Sequence, residues 1–325
     1  MTGDQRALAL VCSAYLWWGS SAIFWNQLSS VAPVDQLSFR IATAFLTLFV
    51  TTRAFLGPLR ARGVTASVFT PGAVRAHLTR THLAYGIGAA LAIGANWALF
   101  LWAVSTRQAV EAALGYFLMP IFSVALGVGM LGERLRRLQV GAIGLSLVGI
   151  VWSVSTVGRL PLIAILIGFS FAIYGLLRKQ SPWDPVSGLA FETAFLSPFV
   201  LVVLAWRLLS GVSPIGDGRP VTIGLLALTG VITAVPLLAF SSAARRVPLI
   251  VLGFLQYINP TLQFLVGWQV LGETVSGTRL IGFAWIWAAL VLVVWDEVRT
   301  ARSTPSPSTP EPVMTTESEG SHHER

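Results

Sequence analysis

Charged side chains within apolar segments are the first candidates for chemistry in this sequence. Arg40 and Glu192 lie well inside such segments, and Glu111 lies at the beginning of another. A charge at the centre of a membrane-spanning helix costs about 2.5–3.5 kcal/mol on insertion scales, so residues of this kind are functional candidates by default. A carboxyl group at this depth can carry a proton, and a carboxylate beside a guanidinium can form an ion pair that closes a path.

The depth of these residues predicts two polar clusters, one towards each membrane face. We expect Arg40 to pair with Glu111 on one side, and Glu192 to pair with Arg245 or Arg246 on the other. Each pair would form when its side of the protein closes and separate when that side opens. The alternative is that Arg40 and Glu192 bond to backbone carbonyls and only fix packing.

A second group of candidates combines aromatic rings with amides near Pro120 and Pro260. A proline inside a helix removes one hydrogen bond and frees a carbonyl about one turn earlier, so both prolines are predicted helix breaks. Aromatic faces beside amides suit a planar or amphipathic organic solute better than an inorganic ion, although ordinary packing is the alternative for each single residue. The predicted substrate-binding residues are Asn96, Trp97, Tyr116, Phe117, Gln256, Tyr257 and Asn259.

The elements that carry these residues are predicted to be transmembrane helices. The chain is 54% hydrophobic and 11% charged, with a mean hydropathy of +0.73, whereas a soluble domain has roughly 25% charged residues. Because an α-helix satisfies its own backbone hydrogen bonds in hydrocarbon, we expect an all-α membrane protein. The ten predicted helices cover residues 7–25, 34–55, 82–104, 110–131, 138–156, 160–178, 186–208, 221–243, 248–271 and 278–297.

A repeated phrase indicates internal duplication. Pro120 precedes Gly132-Glu133 by the same interval that separates Pro260 from Gly272-Glu273. We therefore predict two five-helix repeats, residues 1–156 and 157–297, followed by a disordered cytoplasmic tail at 298–325. Since five is odd, the second repeat enters the membrane from the opposite face. Inverted repeats of this kind are typical of secondary transporters, whose substrate sites lie at the repeat interface.

The basic residues predict the orientation of the chain. Sixteen of the 22 Lys and Arg residues fall on the side of the N-terminus in the ten-helix arrangement, and five fall on the other. Cytoplasmic segments carry this excess, so we expect both termini in the cytoplasm and the protein in the plasma (inner) membrane. The basic residues are scattered between apolar segments and form no basic domain, which argues against a nucleic-acid partner.

Several stretches resemble a known family. EAALGYFLMP at 111–120, GANWALFLWAV at 94–104 and LGFLQYINPTLQFL at 252–265 are similar to the RarD group of EamA-type transporters, in the drug/metabolite transporter superfamily. The resemblance implies a ten-helix inner-membrane transporter of the kind commonly labelled a chloramphenicol-sensitive or drug permease. Family members often follow the Trp-Gly of the first helix with a proline and a lysine, where this chain has Ala22 and Asn26.

Together these features predict a transporter that moves a small organic solute, a drug or a metabolite such as an amino acid, by alternating access. If transport is active, we expect protons to drive it through Glu192; facilitated diffusion is the alternative. A flippase for a lipid or a lipid-linked sugar is the second hypothesis, and a membrane-embedded enzyme is a third, less favoured one. The sequence has no Walker A loop and no HExxH motif, so we expect no enzyme, no cofactor and no metal site. It indicates no oligomeric state.

Overall fold

The computed structural model describes residues 3–54, 79–106, 109–155, 162–270, 272 and 277–303, and their regular structure is entirely α-helical. The twelve helices of this part of the chain are α1 (Gly3–Ser20), α2 (Ala22–Asn26), α3 (Pro33–Ala54), α4 (Arg80–Ser105), α5 (Ala109–Leu131), α6 (Arg137–Ser155), α7 (Leu162–Gln180), α8 (Pro185–Leu209), α9 (Pro220–Ala244), α10 (Leu249–Leu255), α11 (Ile258–Gln269) and α12 (Gly277–Ser303).

These helices form ten crossings of a membrane. Within the described residues, eight spans are long and apolar enough to cross by themselves, and two shorter apolar segments lie in α6 and α12. The first crossing combines α1 with α2, and the ninth combines α10 with α11. The prediction of an all-α membrane protein with ten transmembrane helices is therefore confirmed.

Contacts between helix ends agree with ten alternating crossings. Lys179, at the end of α7, lies 3.6 Å from the carboxylate of Glu133, which follows α5. Arg207, at the end of α8, lies 2.7 Å from Asp35, near the start of α3. The first contact is on the face where α1 begins, called the N-terminal side below, and the second is on the opposite side.

The helix packing has an internal correspondence. The helix α5 packs against α7 as α11 packs against α1, and α3 packs against α9 as α8 packs against α4. In numbers of crossings, the contact of the fourth with the sixth corresponds to that of the ninth with the first. The contact of the second with the eighth corresponds in the same way to that of the seventh with the third. Gly132 and Gly272 also share a left-handed backbone, with φ of 65° and 70°. This arrangement is compatible with two inverted repeats, whose bounds at 1–156 and 157–297 stay a prediction.

The two prolines behave differently from each other. Helix α5 continues through Pro120, so the predicted break there is wrong. The ninth crossing is interrupted between Leu255 and Ile258, one turn before Pro260. Pro260 then occupies the first turn of α11, where its missing N–H costs no hydrogen bond. The carbonyl of Gln256 accepts the amide of Asn259 at 3.0 Å, so the proline frees no carbonyl at this position.

The C-terminal boundary also differs from the prediction. Helix α12 continues to Ser303, so the first residues of the predicted tail at 298–325 are helical. The rest of that tail lies outside the described residues, as do the loop at 55–78 and Glu273.

A close approach of α3 and α9 holds the two predicted halves together. A Cβ atom added at Gly230 of α9 would overlap the backbone of Thr43 in α3. The hydroxyl groups of Thr43 and Thr229 lie 3.0 Å apart beside this contact. Small residues allow this approach, and van der Waals packing with interhelical hydrogen bonds drives helix association in a membrane.

Replacing Gly230 by alanine should therefore destabilise the bundle by about 1–3 kcal/mol, the usual cost of overpacking. The measurement is the midpoint of thermal unfolding of the purified protein in detergent. Gly224→Ala is the matched control, because Gly224 lies in the same helix with no atom within 4 Å of an added Cβ. Equal midpoints for both variants would contradict the proposed role of this contact.

Candidate substrate-binding cavity

A cavity of about 460 Å³ lies between the helices of the two predicted halves. The helices α1 to α5 contribute most of its wall, and α7, α9, α11 and the turn between α10 and α11 complete it. Its lining extends to Asn26 at the end of α2 and Pro33 at the start of α3. Because both residues lie at the ends of crossings on the opposite side, the cavity extends towards that side.

The lining has two chemical components. The aromatic component is Trp18, Trp25, Trp97, Phe100, Tyr116 and Phe171. The polar component is Ser21, Asn26, Gln36, Arg40, Asn96, Thr233, Gln256, Asn259 and Gln263. An apolar pocket with a few convergent polar groups is the usual form of a site for a small organic molecule.

The structure brings together five of the seven residues predicted to bind substrate. Asn96, Trp97, Tyr116, Gln256 and Asn259 all line the cavity. Each amide side chain is also held by a neighbour. The Asn96 amide donates to the carbonyl of Ile167 at 2.8 Å, and the Asn259 side-chain oxygen accepts from Gln263 at 3.0 Å.

The other two predicted residues lie outside the cavity. Phe117 is buried in a separate apolar cluster and meets Phe283 edge-on, with 5.0 Å between ring centroids. Tyr257 is fully buried, and its hydroxyl lies 3.4 Å from the carbonyl of Phe117. Both predictions were wrong because consecutive residues on a helix point about 100° apart, so Phe117 and Tyr257 turn away from the wall that Tyr116 and Gln256 form.

Arg40 lines the cavity. Its guanidinium carbon lies 4.3 Å from the ring centroid of Trp97 and 5.5 Å from that of Trp25. Its Nε–H donates to the hydroxyl of Thr233 at 3.0 Å. Arg40 thus binds aromatic rings and a hydroxyl group. The predicted partner, Glu111, belongs to α5, but its side chain lies outside the described residues.

Aromatic rings close the cavity towards the N-terminal side. We call this group the aromatic floor; it consists of Tyr15, Trp18, Phe171, Tyr174 and Phe240. Neighbouring rings in it have centroids 5.7–6.2 Å apart. The Tyr15 hydroxyl donates to the carbonyl of Leu252 at 3.1 Å and so ties α1 to α10.

A buried ion pair lies beneath the aromatic floor. Arg178 of α7 donates to the Glu192 carboxylate of α8 at 3.0 Å, and both side chains are at most 2% exposed. The Tyr174 hydroxyl donates to the other carboxylate oxygen at 3.2 Å. Arg178 also donates to the hydroxyl of Ser241 in α9 at 3.1 Å. The carboxylate and the guanidinium therefore join three helices on the N-terminal side.

The partner predicted for Glu192 was wrong. Arg245 and Arg246 are both exposed, and Arg245 donates to the carbonyl of Trp183 at 3.4 Å. Arg178 lies in the last turn of α7, and sequence reasoning counted it only among the basic residues of the cytoplasmic segments. The neighbouring Gly188 provides the space for the Arg178 guanidinium, because an added Cβ would collide with it.

A second contact closes the N-terminal side. The Glu133 carboxylate accepts the backbone amides of Leu249 and Ile250 at 2.7 and 2.9 Å, and these are the first two residues of α10. The first amides of a helix lack partners within it, and a carboxylate also complements the positive end of the helix. Lys179 bridges the same region, because its ammonium donates to the carbonyl of Val247 at 2.6 Å.

Sequence reasoning did not select several polar and aromatic lining residues, among them Trp25, Gln36, Phe171, Thr233 and Gln263. A signal for two of them was present. Gln36 lies four residues before Arg40, and Gln263 lies four residues after Asn259, so each shares a helix face with a residue that had been selected. A search for polar residues at this spacing would have found both.

A bundle of ten apolar crossings around a polar and aromatic cavity defines a multi-pass membrane protein of the transporter class. Comparisons with known proteins agree. The model of the EamA-like transporter family matches residues 5–155. An uncharacterised transporter of Vibrio cholerae is 36% identical over 93% of this chain and 98% of its own. Protein RarD of Escherichia coli is 35% identical over 92% of this chain and 97% of its own.

The chain therefore belongs to the EamA-like transporter family and, within it, to the RarD group. It is a plasma-membrane transporter of the drug/metabolite type. A solved crystal structure shares the fold, with a TM-score of 0.65 at 19% identity; it covers 89% of this chain, and this chain covers 97% of it.

The buried ion pair yields a prediction about stability. Arg178→Met leaves the Glu192 carboxylate buried without its cation, which should cost about 3–5 kcal/mol. The double variant Arg178→Met/Glu192→Leu removes both charges and should be more stable than Arg178→Met alone. Thermal unfolding in detergent measures both, and Arg219→Met, at an exposed position, is the control. Equal loss in the single and double variants would show that the charge pair is not the source of the effect.

Proposed function

We propose that the chain is a secondary transporter that carries a small organic solute, a drug or a metabolite, across the membrane by alternating access. One observation carries the proposal. A polar and aromatic cavity lined by both predicted halves reaches the opposite side, while the aromatic floor and the Arg178–Glu192 pair close the N-terminal side. A carrier in one of its two end states has this form.

Opening of the N-terminal side would require specific contacts to separate. The Glu133 carboxylate would have to release the start of α10, and Tyr15 would have to release Leu252. The Arg178–Glu192 pair joins α7 and α8 to α9 through Ser241. Motion of α9 and α10 away from α7 would therefore open a path at the place where these contacts lie.

Coupling to protons is the form of energy input that the site supports. Protonation of Glu192 would neutralise the carboxylate that holds Arg178 and would weaken the closure of the N-terminal side. The carboxylate is 1% exposed in this state, so a proton would reach it only after the floor separates. Glu192 would then exchange protons with one side at a time, as a coupled carrier requires.

The basic residues support an orientation with both termini in the cytoplasm. The N-terminal side is then cytoplasmic, and the cavity faces outward in this conformation. Membrane lipid, the solute and protons are the proposed partners.

The test uses purified protein in liposomes with a panel of amino acids and neutral, anionic and cationic drugs, with and without a pH gradient. Saturable solute flux that a pH gradient accelerates supports a proton-coupled carrier. Solute flux that is the same with and without the pH gradient contradicts proton coupling and indicates facilitated diffusion. Exposure of a labelled lipid headgroup without solute flux would establish a flippase, and covalent change of a solute would establish an enzyme.

Glu133 yields a prediction about the conformational equilibrium. In a Cys12→Ser background, Ala14→Cys places a thiol at a buried position of α1, one residue before Tyr15 of the aromatic floor. Glu133→Ala removes two charge-assisted hydrogen bonds from the start of α10, each worth about 1.5–3 kcal/mol. The rate at which a membrane-impermeant maleimide labels this thiol from the N-terminal side should rise about tenfold or more.

The matched control for this experiment is Arg134→Ala, which changes an exposed neighbour of Glu133 and should leave the labelling rate unchanged. An unchanged rate in Glu133→Ala would show that the contact with α10 does not hold the N-terminal side closed.

A further inference from the structure

The charge of the cavity lining is uneven. Among the described residues that line it, Arg40 is the one charged side chain, and none carries a carboxylate. Within the described part of the chain, no carboxylate lies within 4.0 Å of Arg40. The described lining therefore presents a net positive charge to a solute.

The Arg40 guanidinium is only partly engaged by the protein. Its Nε–H donates to Thr233 at 3.0 Å, and Trp97 covers one face at 4.3 Å. The described contacts assign no acceptor to its two terminal NH₂ groups. A guanidinium that a ring contacts on its face and that makes one hydrogen bond at Nε can still donate hydrogen bonds from its two terminal NH₂ groups, which form a planar fork. That fork matches the two oxygens of a carboxylate.

The wall around Arg40 indicates what kind of chemical group would be attached to a bound carboxylate. Trp97, Phe100, Tyr116 and Phe171 supply aromatic surface on several sides of the space. The Phe100 and Tyr116 rings also contact each other, with centroids 6.0 Å apart. Aromatic walls of this kind favour a flat apolar body. A positively charged group would face the repulsion of Arg40 and would find no described carboxylate in the lining.

We propose that the cavity binds an organic monoanion, in which a carboxylate that Arg40 receives is attached to a flat apolar body without a positive charge. The amides of Asn96, Gln256 and Asn259 line the same space and can bond to polar substituents on that body. The proposal names the substrate class of the transporter proposed above and rests on that function.

The test compares three probes that share one ring system: indole-3-acetate, indole-3-acetamide and tryptamine. They differ in one terminal group, which is anionic, neutral and cationic respectively. Isothermal titration calorimetry with the full-length protein in detergent measures each Kd. We expect indole-3-acetate to bind about tenfold more tightly than the amide, and tryptamine to bind more weakly still.

Variants assign the discrimination to Arg40. Arg40→Gln should weaken binding of the acetate about tenfold and leave the Kd of the amide unchanged, which also reports that the variant is folded. Arg40→Lys should retain part of the preference, since a lysine keeps the charge without the fork. The exposed Arg219 provides the control, Arg219→Gln, which should behave as the unaltered protein.

Three results would overturn the inference: equal affinity of the unaltered protein for all three probes, an equal loss for all three in Arg40→Gln, or no binding of any probe. The first of these depends on no variant, so a failure of Arg40→Gln to fold leaves the proposal open to refutation. Preferential binding of the acetate without flux in liposomes would refute the transport function and keep the anion site. Solute flux in liposomes without preferential binding of the acetate would support the transport function and refute the anion site.

Discussion

The burial of one ion pair determines how the rest of this structure is arranged. Arg178 and Glu192 are both removed from solvent, and neither charge could remain there without the other. Their bonds to Tyr174 and Ser241 connect the pair to the aromatic floor above it and to α9 beside it. The same set of contacts thus closes the N-terminal side beneath the cavity.

The irregular parts of the helices lie where this cavity needs polar groups. The interruption between α10 and α11 places Gln256 and Asn259 in the wall, and the interruption at Ser21 brings a hydroxyl group into it. Non-helical backbone at membrane depth is tolerated where protein buries it or where it lines a cavity. The bends accordingly occur beside the site, whereas α5 stays continuous through Pro120.

Sequence reasoning found part of the cavity but could not choose among neighbours on one helix. It selected Tyr116 together with Phe117 and Gln256 together with Tyr257, and in each pair one residue lines the cavity. A helix that is apolar on every side gives no amphipathic signal to decide which face turns inward. Partners of charged residues were harder still, because Arg178 and Arg245 are both basic residues near helix ends and only their positions in space distinguish them.

The sequence by itself determined the class of the protein. Composition and the length of the apolar segments indicated ten helices, because an α-helix satisfies its own backbone hydrogen bonds in hydrocarbon. The repeated Pro and Gly-Glu pattern indicated which crossings correspond. Only the tertiary structure decided that Arg178 neutralises Glu192, that Glu133 caps α10 and that Arg40 faces the cavity. These contacts join residues far apart in the chain, and the rotation of each helix that creates them depends on the packing of all its neighbours.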